Sequence, residues 1–223
     1  MRAMILAAGL GERMGALTQN TPKPLLKVGT HYLIEYAIFA LVKINIHEII
    51  INISYQKEKI KSALGDGKRY GARFYYSEEI EPLETGGGIF QALNILGHDP
   101  FIVLSSDVIT DYPLKKLLLP PDKLAHLILV DNPTYHPEGD FNLKNNIIYL
   151  KNTHNSYTFG NIGLYHPDLF KTCTSGKFRL GDLLKTYITS SKITGEYYSG
   201  LWHNLGTIED LNKVNAVIDS INL

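Results

Sequence analysis

Hydrophobic residues along this chain form short continuous runs that alternate with stretches of helical spacing. The continuous runs carry few charges, which is typical of strands buried on both faces of a parallel sheet. In the first half of the chain they predict strands at residues 3–8, 48–54, 74–77 and 101–108. Apolar residues three and four positions apart predict helices at 31–43, 56–64 and 89–96. Strand and helix therefore alternate, which predicts a doubly wound, Rossmann-like α/β fold with a mostly parallel sheet.

The second half of the chain has more predicted strands than helices. Its apolar runs predict strands at 125–130 and 158–166, an edge strand at 193–198, and a small hairpin of 140–143 with 147–150. Helices are expected at 111–119, 180–190 and 208–221, with a turn or short helix at 167–170. Thr207 is the expected N-cap of the last helix. Residues 132–139, rich in Asn, Pro, His and Gly, are a predicted loop. A break near residues 120–139 separates the two halves, but we expect one domain over residues 1–223.

Composition and charge argue against several classes of protein. The 22 basic and 22 acidic residues give a formal net charge of zero, whereas bulk binding of nucleic acid needs a basic surface. No apolar run approaches the roughly 20 residues of a membrane helix, and the first predicted strand leaves no room for a signal peptide. The one cysteine, Cys173, allows no intramolecular disulfide, and we expect a cytoplasmic protein. The sequence makes no prediction of the oligomeric state.

The first predicted strand ends in a glycine-rich loop with two cationic residues. Gly9, Gly11 and Gly15 let the backbone turn sharply and let an anion approach the main-chain N–H groups. Arg13 lies within this loop, and Lys23 stands between two prolines that stiffen its surroundings. The spacing fits neither the dinucleotide fingerprint nor a P-loop. We interpret the loop as a cradle for a triphosphate; the alternative is a tight strand-to-helix turn with surface charges.

Two more glycine-bearing segments are candidates for ligand contact. The three glycines at 86–88 precede a predicted helix and indicate a backbone loop at its N-terminus. Free N–H groups there would receive a base or a phosphate; the alternative is a flexible hinge. Gly160 and Gly163 would leave space for a sugar on one face of their strand; the alternative is a bulge or a tight crossing of strands.

A carboxylate ends the fourth predicted strand. Asp107 follows an apolar run, and ligands bind at the carboxyl ends of the strands in open α/β sheets. Mg²⁺ takes one or two carboxylates together with phosphate oxygens, so we interpret Asp107 as a metal ligand; the alternative is a cap for the next turn. The eight histidines include no His-x-x-x-His pair, so a zinc site is not expected.

One long motif indicates a family. The string Leu6-Ala-Ala-Gly-x-Gly-x-Arg-Met14, followed by Thr21-Pro-Lys-Pro-Leu25, resembles the signature of the sugar-1-phosphate nucleotidyltransferases. The resemblance covers nearly the whole chain and is greatest to the N-acetylmuramate-1-phosphate uridylyltransferases of peptidoglycan recycling, through residues 64–67, 82–90, 129–133 and 139–141. It implies the fold of the nucleotide-diphospho-sugar transferases with a small sugar-binding β insertion. Residues 1–120 would mainly bind the nucleotide and residues 121–223 mainly the sugar.

The resemblance also implies a reaction and a set of roles. A nucleoside triphosphate, here UTP, would react with a sugar 1-phosphate, here N-acetylmuramate 1-phosphate, and release pyrophosphate, with Mg²⁺ as cofactor. The implied catalytic residues are Arg13 and Lys23. The implied nucleotide contacts are Leu6, Ala7, Ala8, Gly9, Gly11, Arg13, Gly86, Gly87 and Ser106, the sugar contacts are Asp140, Gly160 and Asn161, and the metal ligands are Asp107 and Asn204.

Two segments depart from the family pattern. Where the family usually has Asn-Gly-Asp, this chain has Ser105-Ser106-Asp107, and Asn204 replaces the second metal-binding aspartate. An amide oxygen can coordinate Mg²⁺ but carries no charge, so we expect weaker metal binding. One alternative is a nucleotidyltransferase that joins GTP, CTP or dTTP to another sugar 1-phosphate or to phosphocholine. The other is a paralogue that binds a nucleotide sugar with weakened catalysis.

Overall fold

The computed structural model describes residues 1–151 and 156–218. In chain order, its strands are β1 (Ala3–Leu6), β2 (Lys27–Val28), β3 (His31–Tyr32), β4 (Glu48–Ile53), β5 (Arg73–Glu78), β6 (Phe101–Ser105), β7 (Val108–Thr110), β8 (Ala125–Val130), β9 (Phe141–Lys144), β10 (Ile147–Leu150), β11 (Ser156–Tyr165), β12 (Ile193–Tyr197) and β13 (Trp202–Asn204). The helices are α1 (Leu17–Asn20), α2 (Leu33–Lys43), α3 (Lys57–Leu64), α4 (Glu84–Leu96), α5 (Leu180–Ile188) and α6 (Ile208–Asn215). None of the described helices has the length and apolar character needed to cross a membrane.

Nine strands form one central sheet in the order β5-β4-β1-β6-β11-β8-β12-β10-β9. Within the described residues, β10 and β11 run opposite to the other strands of this sheet, so the prediction of a doubly wound, mostly parallel sheet is confirmed. β1 lies inside the parallel half, with Ile5 in register between Ile51 and Leu104. β11 also pairs with β9, so β8 to β12 close into a ring of pairings at one end of the sheet.

The sheet is covered on both faces. In β1, Ala3 and Ile5 belong to one buried cluster with residues of α2 and α3, whereas Met4 belongs to a second cluster with residues of α4 and α5. This alternation explains why the strand is apolar throughout. A third cluster joins Met14 from the glycine-rich loop to Leu205 and Leu211 near the C-terminal helix. It supports the segments that surround the cleft described in the next section.

The prediction that residues 193–198 form an edge strand is wrong. β12 lies between β8 and β10, and Ile193, Thr194 and Gly195 are buried. A Cβ at Gly195 would lie 2.7 Å from the carbonyl oxygen of Leu127. The neighbouring strand therefore occupies the place where a side chain would be.

The prediction of a loop or a hinge at the glycines 86–88 is also wrong, because α4 begins at Glu84 and contains them. A Cβ at Gly87 would lie 2.3 Å from the carbonyl oxygen of Gly176, and one at Gly88 would lie 2.5 Å from the carboxylate of Glu79. Glycine normally weakens a helix. Here it is required because neighbouring groups pack directly against the helix backbone.

Other helices differ from the prediction mainly in length. Within 111–119 the described structure has only a 3₁₀ turn at Leu114–Lys116, and α5 ends two residues early, at Ile188. The segment at 167–170 is a 3₁₀ helix. α6 ends at Asn215, and residues 219–221 of its predicted span lie outside the described residues.

The start of α6 forms as predicted. The hydroxyl of Thr207 accepts the N–H of Asp210 at 3.2 Å, and the Asp210 carboxylate accepts the N–H groups of Thr207 and Gly206 at 2.9 Å and 3.1 Å. This reciprocal cap satisfies N–H groups that the helix itself cannot bond. It also holds the turn between β13 and α6 in place beside the cleft described below.

Candidate active site

A cleft with a volume of about 560 Å³ lies at the carboxyl ends of β1, β4 and β6. This is the edge at which ligands bind in open α/β sheets. Most of the residues predicted from the sequence line it, namely Leu6, Ala7, Ala8, Gly9, Gly11, Arg13, Lys23, Ser106, Asp107 and Asn161. The other predicted residues lie outside its lining: Gly86, Gly87, Asp140, Gly160 and Asn204.

The glycine-rich loop turns sharply out of β1. Gly11 and Gly15 have φ angles of 69° and 53°, in the left-handed region that favours glycine. A Cβ at Gly11 would lie 3.0 Å from the Cβ of Lys23, so the missing side chain lets the Lys23 segment pack against the loop. The Thr18 hydroxyl lies 3.0 Å and 3.1 Å from the carbonyl oxygens of Gly11 and Gly15. These contacts hold the loop in one shape.

A buried polar pair, Asn52 and Glu79, lines the cleft in addition to the residues predicted from the sequence. The N–H of Ala7 donates to Oδ1 of Asn52 at 2.8 Å, and Nδ2 of Asn52 donates to Oε1 of Glu79 at 2.7 Å. Oε2 of Glu79 accepts the N–H of Leu83 at 2.9 Å, which connects β1 to the start of α4. A signal was available, because Asn52 interrupts an apolar run near the carboxyl end of its strand, much as Asp107 follows one.

Lys23 and Asp107 form an ion pair in the cleft. Nζ of Lys23 contacts Oδ2 of Asp107, and the hydroxyl of Ser105 donates to Oδ1. The Lys23 and Asp107 side chains are only 12% and 20% exposed, so water and salt screen their attraction less than at an open surface. Side chains contact both carboxylate oxygens, and the alternative role of Asp107 as a cap for the next turn finds no support.

Arg13 lies against the turn that follows β13. A Cβ at Gly206 would lie 3.1 Å from Nη1 of the Arg13 guanidinium. The absence of a side chain at Gly206 therefore lets the cation sit close to the strand that carries Asn204. Arg13 and Lys23 place two positive charges in one cleft, which suits a ligand with several phosphates.

The pairing of β13 with β7 brings Asn204 beside Asp107. Asn204 is opposite Val108 in the ladder, and the N–H of Leu205 donates to the carbonyl oxygen of Asp107 at 2.9 Å. The Asn204 amide nitrogen donates to the hydroxyl of Tyr135 at 3.2 Å. Its amide oxygen is buried and has no hydrogen-bond partner within the described structure. An unpaired buried oxygen one residue from the backbone contact with Asp107 suits a hard cation.

The donors at this point fit a metal ion that is shared with a substrate. The described residues contain no group of three or more His, Cys, Asp or Glu side chains that could hold a metal. Asp107 and Asn204 would therefore supply one carboxylate oxygen and one amide oxygen, and the remaining ligands would be substrate oxygens and water. Mg²⁺ is typically bound in this way.

Tyr135 belongs to the surroundings of this site. The pKa of the Tyr135 hydroxyl is raised above its usual value, chiefly because the group is partly buried. The hydrogen bond from Asn204 acts in the opposite direction, and the negative charges of Asp210 and Asp107 add to the rise. The phenol is therefore neutral at physiological pH and can accept the hydrogen bond from Asn204. Tyr135 lies in the predicted loop at 132–139, and its sequence context indicates no role for it.

Two of the predicted sugar contacts, Gly160 and Asn161, lie in a bulge of β11. Pairing with β8 shifts register between Phe159 and Gly163, and Asn161 has a φ of 56°. The carbonyl oxygen of Gly160 accepts Nε1–H of Trp202 at 2.9 Å, and Oδ2 of Asp140 accepts the N–H of Phe159 at 2.9 Å. The alternative of a bulge is thus confirmed. Asn161 faces the cleft, while Asp140 and Gly160 hold the bulge in place.

The backbone of Gly86 and Gly87 is engaged inside the protein. Both N–H groups donate to the carbonyl oxygen of Phe178 at 3.1 Å. These glycines therefore fasten α4 to the segment before α5, and the neighbouring Glu84 and Thr85 line the cleft instead.

Sequence comparisons point to the same chemistry. The sequence profile of the nucleotidyl transferase family matches residues 2–141. The N-acetylmuramate alpha-1-phosphate uridylyltransferase of Neisseria meningitidis serogroup B is 40% identical over 226 aligned positions, covering 97% of this chain and 98% of that protein. The mannose-1-phosphate guanyltransferase of Hypocrea jecorina is 40% identical over 121 positions, but these cover 53% of this chain and 33% of that longer protein.

Solved structures share the fold. A chain assigned as a glucose-1-phosphate thymidylyltransferase of Bacillus anthracis, in complex with sucrose, has a TM-score of 0.87 at 24% identity and covers 100% of this chain and 97% of that chain. HddC from Yersinia pseudotuberculosis complexed with GMP-PN has a TM-score of 0.79 at 18% identity, covering 97% and 99%. At these identities the similarity demonstrates the fold, and the activity follows from the sequence matches and the site.

Members of the matched family generally use a divalent metal ion, which agrees with the oxygen donors at Asp107 and Asn204. The profile match extends over more than half of the chain. The similarity to the Neisseria uridylyltransferase extends over nearly all of it. On these grounds the chain belongs to the nucleotidyl transferase family and is a sugar-1-phosphate nucleotidyltransferase.

Proposed function

We propose that this chain joins UTP to N-acetylmuramate 1-phosphate and releases pyrophosphate, a reaction of peptidoglycan recycling. The support for these two substrates is the 40% identity to the Neisseria uridylyltransferase over nearly the full length of both proteins. The support for the chemistry is the cleft, which combines cations, a carboxylate and a glycine-rich loop.

The observation that carries the proposal is the contact between Lys23 and Asp107, which lie 84 positions apart in the chain. The fold brings a cation and a metal-binding type of side chain to the same point beside the glycine-rich loop. A nucleotidyl transfer needs both, because negative charge accumulates around the α-phosphorus as it is attacked. It needs no protein nucleophile, since the sugar phosphate itself attacks.

In the proposed reaction, an oxygen of the sugar 1-phosphate forms a bond to the α-phosphorus of UTP. The bond from the α-phosphorus to the oxygen bridging the β-phosphate breaks, and its electron pair leaves with pyrophosphate. Lys23 would neutralise the α-phosphate and the incoming phosphate, and Arg13 would hold the departing β- and γ-phosphates. Holding both substrates in line in one cleft would supply much of the acceleration.

Mg²⁺ is the proposed metal, with Asp107 and Asn204 as its protein ligands. When bound, it would supply positive charge that offsets the charge of the phosphate oxygens. In this structure Asp107 is paired with Lys23. Each oxygen of the Asp107 carboxylate keeps a further lone pair that could bind the cation beside this ion pair. Lys23 would turn towards the phosphates when the substrates bind.

The two halves of the proposed single domain would divide the substrates between them. In residues 1–120, Gly9, Gly11 and Ser106 would seat the nucleotide. In residues 121–223, Asn161 would meet the sugar. The predicted contacts outside the cleft would act indirectly, Asp140 and Gly160 through the bulge and Gly86 and Gly87 through the position of α4.

The test is release of pyrophosphate by purified full chain. The protein is incubated with each nucleoside triphosphate, Mg²⁺, and a panel of sugar 1-phosphates and phosphocholine. We expect release with UTP and N-acetylmuramate 1-phosphate and little with other pairs. Release with a different pair would support nucleotidyl transfer but show that the two proposed substrates are wrong. No release from folded protein that still binds nucleotide would favour a nucleotide-sugar-binding paralogue.

Replacing Asn204 with aspartate is expected to tighten metal binding. The new carboxylate would add a negative charge beside Asp107, and ligand charge is a main determinant of affinity for hard cations, so we expect the Mg²⁺ activation constant to fall about tenfold. Pyrophosphate release measured against Mg²⁺ concentration checks this. If Asn204→Asp lowers both activity and Mg²⁺ affinity, the amide is a specialised ligand and the expectation is wrong.

A further inference from the structure

One contact orients the side chain of Asn204. Its amide nitrogen donates to the Tyr135 hydroxyl at 3.2 Å, and its amide oxygen is buried without a partner within the described structure. A buried polar atom without a partner costs free energy. A group from outside the chain that binds this oxygen would recover that free energy. Asp107, whose carbonyl oxygen accepts the N–H of Leu205, indicates that this group is a cation.

The loop that presents Tyr135 is fixed at both ends to β11. Near its start, Nδ2 of Asn132 donates to the carbonyl oxygen of Ser156 at 2.9 Å. At its end, the carboxylate of Asp140 accepts the N–H of Phe159 at 2.9 Å. These bonds hold the loop against the bulge, so the Tyr135 hydroxyl has a defined position relative to Asn204.

We propose that Tyr135 is a positioning residue that turns the amide oxygen of Asn204 towards the metal ion held with Asp107. An amide has two unlike ends, and only the oxygen can bind a cation. By accepting the N–H of Asn204, the Tyr135 hydroxyl keeps the amide nitrogen away from the ion. A carboxylate needs no such partner, because its two oxygens are equivalent. Tyr135 thus compensates in part for the aspartate that this chain lacks.

This inference rests on the metal-binding role proposed for Asp107 and Asn204, but not on the identity of the nucleotide or the sugar. Its test is therefore the binding of Mn²⁺ alone to the full chain. The electron paramagnetic resonance signal of free Mn²⁺ measures how much of the ion is bound. The variants are Tyr135→Phe, Asn204→Asp and the combination of both. The Mg²⁺ activation constant of pyrophosphate release provides a second measurement.

We expect Tyr135→Phe to raise the Mn²⁺ dissociation constant about tenfold, as loss of a group that orients a metal ligand typically does. In the Asn204→Asp background we expect Tyr135→Phe to change the Mn²⁺ dissociation constant by less than about twofold. A double-mutant cycle measures this difference between the two backgrounds directly. Tyr135 is 51% exposed, so loss of its hydroxyl should not change the thermal stability.

A matched control is Tyr197→Phe. Tyr197 is also exposed, at 40%, and its hydroxyl donates to Asp131 at 2.8 Å. We expect Mn²⁺ binding by this variant to equal that of the unaltered chain. A comparable loss of affinity in Tyr197→Phe would show a general effect of removing exposed hydroxyls and would overturn the proposal.

Three further results would also overturn it: an unchanged dissociation constant in Tyr135→Phe, an equal loss in both backgrounds, or no binding of millimolar Mn²⁺ by the unaltered chain. Failure of the proposed function gives a different pattern. If the coupling between Tyr135 and Asn204 is present but uridylyl transfer is absent, the positioning role stands and the substrates are wrong.

Discussion

Replacing Lys23 with alanine should lower kcat/KM for pyrophosphate release about a thousandfold. The proposed role of its ammonium group is to neutralise charge at the α-phosphate, and removal of one group that stabilises a transition state typically costs between about a hundredfold and a thousandfold. The same change leaves Asp107 with the Ser105 hydroxyl as its remaining partner, which would disturb the metal site and place the loss at the upper end. Steady-state kinetics with varied UTP measures it.

The control for this variant is Lys27→Ala. Lys27 lies nearby in the chain but is exposed, and its Nζ donates to the carbonyl oxygen of Thr30. We expect its kcat/KM to stay within about twofold of the original, as for surface substitutions away from a site. Retention of more than about a tenth of the activity by folded Lys23→Ala protein would contradict the role proposed for Lys23, given the cost expected for a group of this kind.

Replacing Gly87 with alanine should destabilise the fold by about 3 kcal/mol or more, because extra atoms in a packed interior force the backbone to shift. The new Cβ would lie 2.3 Å from the carbonyl oxygen of Gly176 and 3.0 Å from the Cβ of Leu83. One of these contacts is with backbone, which cannot rotate away as a flexible side chain would. The midpoint of urea unfolding measures the change, and nucleotide affinity of the remaining folded protein is measured beside it.

Gly181→Ala is the matched control. Gly181 also lies in the first turn of a helix, α5, and a Cβ added there would have no atom within 4 Å beyond its chain neighbours and the local helix backbone. Alanine favours a helix over glycine by about 1 kcal/mol, so this variant should be slightly more stable. Unchanged stability of Gly87→Ala together with a loss of nucleotide affinity would instead support a direct contact between Gly87 and the nucleotide.

The parts of the site that are close together in the sequence could be predicted from it. The apolar run that forms β1, the glycines that follow and the cation Arg13 belong to one continuous stretch. Their local chemistry leaves few conformations open, because positive φ angles favour glycine. Asp107 could also be assigned to the site, since a polar residue after a buried strand lies at the carboxyl edge of the sheet.

Other roles could not be predicted because they depend on which distant backbone comes close. Gly86 and Gly87 have the composition of a loop, yet the carbonyl oxygen of Phe178 accepts both of their N–H groups within a helix. Asp140 has the chemistry of a sugar ligand, yet its carboxylate accepts the N–H of Phe159. In both cases the partner lies in another element, and no local pattern identifies it.

By itself, the sequence determined the alternation of strand and helix, the glycine-rich loop, and the cations and carboxylate that suit a phosphate ligand. These follow from periodicity and from the conformations that single residue types allow. Only the tertiary structure decided that β12 lies inside the sheet, that Lys23 forms an ion pair with Asp107, and that Tyr135 contacts Asn204. The physical reason is that contacts between distant segments depend on how whole layers pack, and this is not encoded in any short stretch of the chain.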